Sequence, residues 1–398
     1  MQILNEERNH LGEMIARKEE KLMSKFTLKK EDVDNLLIGL GVLGTGGGGD
    51  PEWGRAIIEN DFAKGREYEI VDPDDVEDDA FICSGGIMGS VKSIDRLSYK
   101  DLVSDWEKDF ILIKAFKEME KLFGKKLDYI IPFEAGGLNT PIIMSLAARM
   151  GIPMINADAL GRAAPETQMT SFIGHGISLT PMPLVDNAGN TLIVMNSKEP
   201  TYADEIGRFV VTKGGGLGAN AHYPMTGKQL KNSCVPGVIT TAIKIGETIT
   251  EANLNGVDPV TAFANHFNGI KIFEGVIDSL QDEDKGGFYL VNVLLNGTNE
   301  FKGRRCKMVL KNETMAVWVD EQVKCVLPDL ACMLDPENGR GIMSTDLKKD
   351  KRIAIVAIPC HQRLRETLET EIGRKAFSGD RYGHPELRYQ PVEFLNNK

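Results

Sequence analysis

Helix-type and strand-type segments alternate through the first half of the chain, and this alternation constrains the fold more than any other feature of the sequence. Helical apolar spacing covers residues 31–43, 52–64, 110–123 and 138–150. Short apolar runs occupy residues 68–71, 80–83, 127–133 and 152–155. Such alternation is typical of layered α/β structures with a mostly parallel sheet. The sequence therefore predicts an N-terminal α/β domain over residues 28–195.

The second half has a different pattern, in which β-type runs separated by turn residues predominate. A hairpin signal covers residues 183–196, with its turn at 186–190. Helices are predicted at 201–209, 238–248 and 258–267, and β-type runs at 288–295, 304–310, 315–319 and 352–358. Short strands with turns between them favour a barrel or a sandwich. We therefore predict a C-terminal domain over residues 196–398, in which helices accompany a barrel-like β portion.

The N-terminal residues stand apart from both predicted domains. Four apolar residues between Leu4 and Leu22 follow helix-like spacing among mixed charges. This pattern predicts an amphipathic helical extension over residues 1–27. The extension either covers part of the core or joins a partner subunit. Alternatively, Met23 is the true start, and the first 22 residues are then dispensable.

The charge balance and the cysteine content restrict the class of protein. The 398 residues include 47 Lys and Arg against 58 Asp and Glu. This acidic balance disfavours nucleic acid as a partner, because phosphate binding needs clustered positive charge. The six cysteines form no CxxC pair, which is typical of reduced cytosolic thiols. No apolar run reaches the ~18 residues of a membrane span. We expect a cytoplasmic protein without a membrane partner.

A glycine run at residues 44–49 is followed by Asp50 and a predicted helix. Glycines let the backbone approach a ligand closely, and N–H groups at a helix start attract anions. The run lacks the Lys-Ser/Thr of a P-loop and does not follow a strand as a Rossmann fingerprint does. We interpret Gly46, Gly47, Gly48 and Asp50 as substrate-binding residues, with a purely structural turn as the alternative.

The segment from Glu134 to Asn139 directly follows a buried strand and precedes a helix. Ligands of α/β sheets bind at the carboxyl ends of strands. Glu134 is therefore a candidate general base or metal ligand. Gly136, Gly137 and Asn139 are candidate substrate-binding residues, although Asn139 is also a suitable helix N-cap.

Two acids and one guanidinium follow the next predicted strand, at Asp158, Arg162 and Glu166. If they face one cleft, the arginine can hold an acidic group in a bidentate manner while a carboxylate transfers protons. We therefore predict that these three residues are catalytic together with Glu134. An internal salt-bridge cluster that shapes the loop is the alternative.

Basic residues beside glycines provide further candidates. Lys213 precedes three glycines and is a candidate for binding a substrate carboxylate or a developing negative charge. His175 and His222 are candidate proton carriers or metal ligands, and a structural role is the alternative for each. The chain contains no HxH, HExxH or HxxxH motif, so a divalent metal such as zinc would need ligands from distant segments.

These segments, in their order along the chain, resemble the S-methyl-thiohydantoin desulfurase family. The matching segments are Leu43–Pro51, Glu134–Asn139, Gly151–Pro153 leading to Asp158, Gly161–Glu166, Pro224–Gly227, Pro328–Leu330 with Leu334–Asp335, and Pro391–Glu393. The resemblance covers nearly the whole chain, from about residue 28 to residue 394. Val91 stands where the family pattern leads us to expect proline, and neither residues 93–96 nor the extension at 1–23 match it.

The resemblance implies an N-terminal α/β domain, a C-terminal part with a β-barrel, and removal of sulfur from a thiohydantoin-type ring. We expect water, deprotonated by Glu134 or Asp158, to attack the ring carbon that bears sulfur. Two alternatives stay open: hydrolysis of a hydantoin or oxoproline ring, and a non-catalytic ligand-binding subunit of a hydantoin-degrading system. In each case we expect a small ring as ligand and a homo-oligomer as the assembly.

Overall fold

The structure is a computed structural model that describes residues 25–92 and 98–396. Most of the predicted N-terminal helix lies outside the described residues, and its last residues, Lys25–Thr27, form a strand. The strands are β1 (Lys25–Thr27), β2 (Glu69–Val71), β3 (Phe81–Gly89), β4 (Tyr129–Pro132), β5 (Met154–Ile155), β6 (Ala157–Asp158), β7 (Met182–Asp186), β8 (Thr191–Val194), β9 (Leu217–Thr226), β10 (Val235–Pro236), β11 (Ile270–Lys285), β12 (Phe288–Gly297), β13 (Arg305–Lys311), β14 (Glu313–Val319), β15 (Gln322–Val326), β16 (Leu330–Leu334) and β17 (Arg352–Ile358).

The helices of the described residues include long segments in the first half and shorter ones near the C-terminus. They are α1 (Val33–Leu43), α2 (Pro51–Ala63), α3 (Tyr99–Lys108), α4 (Ile111–Phe123), α5 (Asn139–Met150), α6 (Ser171–Gly174), α7 (Pro200–Lys213), α8 (Gly227–Ser233), α9 (Val238–Leu254), α10 (Pro259–His266), α11 (Gln362–Glu369), α12 (Glu371–Ala376) and α13 (Val392–Leu395). Within this described part, no helix is both long enough and apolar enough to cross a lipid bilayer.

An eight-stranded sheet forms the centre of the first half, with the strand order β1-β2-β5-β4-β3-β9-β7-β8. Strands β2, β5, β4 and β3 run parallel to one another, and the remaining pairings are antiparallel. The parallel strands are short and apolar because helices cover both faces of such a sheet. Ile130 and Ile131 of β4, for example, are fully buried. The predicted α/β class is confirmed.

A second sheet forms the β-rich part of the C-terminal half. Its seven antiparallel strands, in the order β15-β14-β13-β12-β11-β17-β16, curl into a half-barrel. Register shifts interrupt the pairing of β11, β13 and β14 with their neighbours, and such bulges bend a sheet. Inward-facing residues such as Val293, Met308 and Val317 fill the concave side. The predicted barrel-like portion is confirmed in this form.

Strand β9 joins the two halves of the chain, because it follows residue 196 in sequence but lies inside the first sheet. It pairs with β3 on one side and with β7 on the other. From its sequence the same segment is only a glycine-rich ligand candidate, since glycine and alanine are weak strand formers. Small residues are needed here: a Cβ on Gly85 of β3 would lie 2.3 Å from the carbonyl oxygen of Asn220.

Helix α1 is held against α9 by glycine contacts, and this packing fixes where the glycine run begins. A Cβ on Gly39 would lie 1.8 Å from the carbonyl oxygen of Ala242, and a Cβ on Gly246 would lie 2.0 Å from that of Asn35. The two helices therefore approach more closely than helices with larger side chains permit. The glycine run therefore begins at the end of a helix that packs closely on α9.

Candidate functional site

A cavity lies where the glycine run, the end of β3, the segment after β4 and the turn between β13 and β14 meet. It encloses about 920 Å³ when the space at its open mouth is included. Its apolar walls include Trp53, Phe133 and Leu138. Its polar lining includes Asp50, Glu134, Asn139, Asn220, His222 and Glu313. A concave site with apolar walls and a few convergent polar groups is typical of a small-molecule site.

The glycine run forms part of the wall of this cavity. Its positions must be glycine because their neighbours leave no room for side chains. A Cβ on Gly48 would lie 2.8 Å from Cα of Gly136, and the carbonyl oxygen of Gly48 accepts a hydrogen bond from the Leu138 N–H at 3.1 Å. A Cβ on Gly137 would lie 2.5 Å from the carbonyl oxygen of Gly49. The two glycine segments predicted to bind substrate therefore pack on each other, while Gly47 and Gly49 line the cavity.

Glu134 follows β4 and presents a buried carboxyl group to the cavity. One oxygen accepts a hydrogen bond from the Ala164 N–H at 2.6 Å, and the other is bonded to the side-chain amide of Asn139. Burial raises the pKa of Glu134 well above its usual value, and the charge of Glu313 raises it further. Both effects favour the protonated form of the Glu134 carboxyl.

Glu313 is the second buried carboxyl of the cavity, and it is not among the residues predicted from the sequence. It is the first residue of β14, directly after Asn312, whose φ of 58° turns the chain sharply. Burial raises the pKa of Glu313 to about 7, and the charge of Arg162 limits that rise. Among the described residues, its Oε2 has no hydrogen-bond partner. An acid in an Asn-Glu turn normally lies in solvent, so no local signal marked it.

The absence of a side chain at Gly47 leaves room for the Glu313 carboxyl. A Cβ at residue 47 would lie 1.9 Å from Oε1 of Glu313 and 2.9 Å from Cβ of Asn312. Any larger residue would push the carboxyl away from the glycine run. Residue 47 therefore has to be glycine because of its contact with Glu313, which lies far away in the sequence.

His222 of β9 lies in the cavity wall as a neutral imidazole. Burial lowers its pKa to about 3, so the ring carries no charge at neutral pH. The ring packs edge-on against Phe133 and Tyr223. In the described part of the chain its Nδ1 is buried and finds no hydrogen-bond partner.

Family comparison assigns both halves of the chain to one group of proteins. Residues 31–196 match the S-Me-THD-like N-terminal domain, and residues 198–392 match the S-Me-THD-like C-terminal domain. The chain belongs to the S-Me-THD-like family. The predicted resemblance is thereby confirmed, and it covers nearly the whole chain.

A crystal structure of a protein from Chromobacterium violaceum shares the fold of this S-Me-THD-like chain. The TM-score is 0.73 at 22% sequence identity, and the match covers 92% of this chain and 100% of the other. At this identity the likeness concerns the fold alone. No curated protein matches the chain.

Asp158 and Arg162 of this S-Me-THD-like protein are buried, but neither lines the cavity. One oxygen of Asp158 accepts hydrogen bonds from the N–H groups of Leu160 and Gly161, at 3.0 and 2.6 Å, which shapes the local turn. The Arg162 guanidinium donates to backbone carbonyl groups, including that of Asp329 at 2.6 Å. The predicted convergence of these residues on one cleft with Glu134 is therefore not observed. Arg162 influences the cavity through its charge, which lowers the pKa of Glu313, and through its hydrogen bond to the carbonyl oxygen of the neighbouring Thr314.

Glu166 belongs to an internal ion-pair cluster outside the cavity lining. It pairs with Lys311 at 2.5 Å and with the guanidinium of Arg381, and it accepts a hydrogen bond from Gln168. Burial opposes ionisation of Glu166, but the neighbouring cations outweigh it and hold its pKa below the usual value. The alternative of a salt-bridge cluster, which the sequence left open, describes these contacts.

The remaining basic candidates of the S-Me-THD-like chain also lie away from the cavity lining. Lys213 is exposed at the end of α7, where its ammonium group lies 5.9 Å from the centre of the Phe209 ring. His175 contacts the carbonyl oxygen of Ser171 and the carboxylate of Glu366. Of the two candidate histidines, His222 alone is in the cavity wall. Across the described residues, no group of three or more His, Cys, Asp and Glu is arranged to hold a metal ion.

Proposed function

We propose that the protein hydrolyses the carbon–sulfur bond of a thiohydantoin-type five-membered ring bound in this cavity. Membership of the S-Me-THD-like family supports the substrate class. The observation that carries the chemistry is the pair of buried carboxyls, Glu134 and Glu313, which come from distant parts of the chain to one cavity. Burial raises both pKa values, and the charge of Glu313 opposes ionisation of Glu134, so the arrangement favours a state in which one carboxyl is ionised and the other keeps its proton.

Glu313 acts as the general base in this proposal. Burial raises its pKa, but the charges of Arg162, Arg208 and Lys311 lower it. The negative charges of Glu313 and Asp158, by contrast, add to the effect of burial and raise the pKa of Glu134. The Oε2 of Glu313 has no competing donor among the described residues. The buried charge of Arg162 favours the ionised form. A base is most effective when its pKa lies near the working pH. This assignment replaces the expectation from sequence that Glu134 or Asp158 deprotonates water.

Glu134 acts as the general acid. Burial and the negative charge of Glu313 keep its proton in place. Asn139 can support either protonation state, because a side-chain amide can present its N–H₂ or its carbonyl oxygen to the same carboxyl oxygen. The predicted substrate-binding role of Asn139 thus becomes one of positioning the proton donor.

The reaction proceeds by addition and elimination. Glu313 takes one proton from a water molecule while the water oxygen bonds to the ring carbon that carries sulfur. The carbon–sulfur bond of the adduct then breaks, Glu134 gives its proton to the departing sulfur, and the adduct hydroxyl passes its proton to the Glu134 carboxylate as the carbonyl forms. The proton held by Glu313 passes to the ring nitrogen of a thioether-type substrate or to the sulfur of a thiocarbonyl substrate, so both carboxyls return to their starting states. A thioether-type substituent leaves as a thiol, and a thiocarbonyl sulfur leaves as hydrogen sulfide. The products are the hydantoin and the free sulfur compound.

The polar cavity wall supplies contacts for a planar ring with N–H and carbonyl groups. His222 remains neutral, which suits an uncharged ligand, and its buried Nδ1 has no hydrogen-bond partner among the described residues. Asp50, Asn220 and the backbone of Gly47 lie on the same wall. Preorganised polar groups of this kind stabilise developing charge without reorganising during the reaction.

The test is incubation of the purified protein with 2-thiohydantoin, S-methyl-2-thiohydantoin and hydantoin, with and without chelator. Released thiol or sulfide is measured with a thiol-reactive dye, and ring integrity is measured by mass spectrometry. We expect sulfur release with an intact ring. Glu313→Gln and Glu134→Gln should each lower kcat by at least about 100-fold while the melting temperature changes little. Glu120→Gln, a buried carboxylate of α4 outside the cavity lining, is the matched control.

Two results would overturn the proposal and identify a different function. Ring opening that retains sulfur in the product would make the protein a ring hydrolase. Saturable binding of these rings without turnover, unchanged in both Gln variants, would make it a binding subunit.

A further inference from the structure

The outer face of α7 carries an exposed apolar surface that is not part of the cavity described above. Tyr202 and Phe209 are 55% and 61% exposed, and they lie on one side of the helix. Leu192 of the edge strand β8 is 43% exposed and pairs with Leu184 of β7. Because Cδ2 of Leu184 lies 3.5 Å from the position of a Cβ on Gly207, Leu192 lies on the face of the sheet that α7 covers. Large apolar side chains that cluster on a surface mark an interaction site, whereas single ones do not.

Two charged residues flank Phe209 symmetrically on this face. Glu205 lies four residues before Phe209 and Lys213 lies four residues after it, so each is about one helical turn away. Both are exposed, and within the described chain neither forms a salt bridge. Opposite charges at equal distances on either side of a central aromatic ring form a self-complementary pattern.

We infer that α7 is the contact helix of a homodimer, packed antiparallel on its copy about a twofold axis at Phe209. An antiparallel twofold brings each residue before position 209 opposite the residue equally far after it in the other copy. Glu205 of each protomer then lies at the level of Lys213 of its partner. The two Phe209 rings meet at the centre, and Tyr202 packs at the periphery. This arrangement gives Lys213, the predicted substrate ligand that does not line the cavity, a different role.

The available apolar area fits a second copy of the chain. With ~200 Å² for the full surface of a large apolar side chain, the exposed parts of Leu192, Tyr202 and Phe209 amount to roughly 300 Å² per protomer. A standard interface uses about 800 Å² from each partner. These three side chains therefore supply more than a third of one side, and the surrounding backbone and polar rim supply the rest.

Sedimentation velocity of the full chain over a range of concentrations tests this inference. We expect a dimer, and Phe209→Glu should raise its dissociation constant by at least about 100-fold because each copy then places a charge at the twofold axis. Phe394→Glu is the matched control, since Phe394 is 74% exposed in α13 and carries no role in the interface. It should leave the dimer unchanged.

Charge exchange identifies the antiparallel pairing itself. Glu205→Lys and Lys213→Glu should each weaken the dimer by about tenfold, because each creates two like-charge contacts across the axis. The double variant should restore wild-type affinity. A chain that stays monomeric at every concentration overturns the inference. So does a dimer that is insensitive to Phe209→Glu, or single charge variants that the double variant does not rescue.

Discussion

The buried carboxyl of Glu313 makes the stability of the protein depend on pH in a direction that a surface acid does not produce. Its pKa lies at about 7 in the folded chain, against 4.5 for an unperturbed glutamate. Between these two values the unfolded chain has lost the proton and the folded chain has kept it. Folding is therefore progressively less favourable as the pH rises through this window. Glu313→Gln removes the titrating group while keeping the shape of the neutral side chain.

The size of this effect follows from the two pKa values. When the pH rises from 5 to 8, ionisation of Glu313 lowers the free energy of unfolding of the wild type by about 2.5 kcal/mol. The Gln variant has no such loss. For a chain of 398 residues this corresponds to a shift of about 3 °C in melting temperature. The variant should therefore gain about 3 °C on the wild type when the buffer changes from pH 5 to pH 8.

Differential scanning calorimetry of both proteins at the two pH values measures this shift, and Glu120→Gln provides a control of opposite sign. Burial opposes ionisation of Glu120, but Lys117 and Lys126 outweigh it and hold its pKa below the usual value. Its carboxylate therefore stabilises the fold at pH 8 at least as much as at pH 5, and its Gln variant gains nothing at the higher pH. If Glu313→Gln also gains nothing, Glu313 is ionised at neutral pH in the folded chain, and its assignment as a base with a raised pKa is wrong.

Three further outcomes follow from the cavity. The kcat/KM for sulfur release should fall tenfold per pH unit below about pH 7, where Glu313 takes up a proton, and a flat profile down to pH 5 would exclude it as the base. Gly47→Ala should lower kcat by about 100-fold in steady-state assays, because the new methyl group displaces the Glu313 carboxyl; unchanged kcat would contradict that contact. A Cβ at Gly86 meets nothing within 4 Å, so Gly86→Val should fold normally and narrow the cavity. Its kcat/KM should drop more for ring substrates with a bulky side chain than for unsubstituted rings, and equal losses would place the ring elsewhere.

Secondary structure was predicted best for elements whose burial leaves a clear pattern of apolar residues within their own segment. The helices at 31–43, 110–123 and 138–150 and the strand at 127–133 appear within a few residues of the predicted bounds, because burial of one helix face or of a whole central strand leaves a clear periodicity. Strand β9 escaped prediction because its small residues serve close packing against β3, which no pattern within the segment reports.

The candidate site was predicted in part for a similar reason. Glu134 and Asn139 follow a strand end, where α/β proteins place ligands, and both line the cavity. Asp158 and Glu166 carry the same local signal, but their carboxylates are bonded to a turn and to an ion-pair cluster. Glu313 lies 179 positions after Glu134 in the sequence, and the curl of the half-barrel brings it to the cavity. Contacts of this range depend on the whole topology.

The position of β9 bears on how the gene can be divided. A protein truncated at residue 196 keeps the first family match but loses the strand that separates β3 from β7. Two hydrogen-bonding edges would then open in the middle of the sheet, next to the cavity residues that β9 contributes. Exchange of N-terminal halves between relatives therefore requires a matching β9, so the recombination unit extends at least to residue 226.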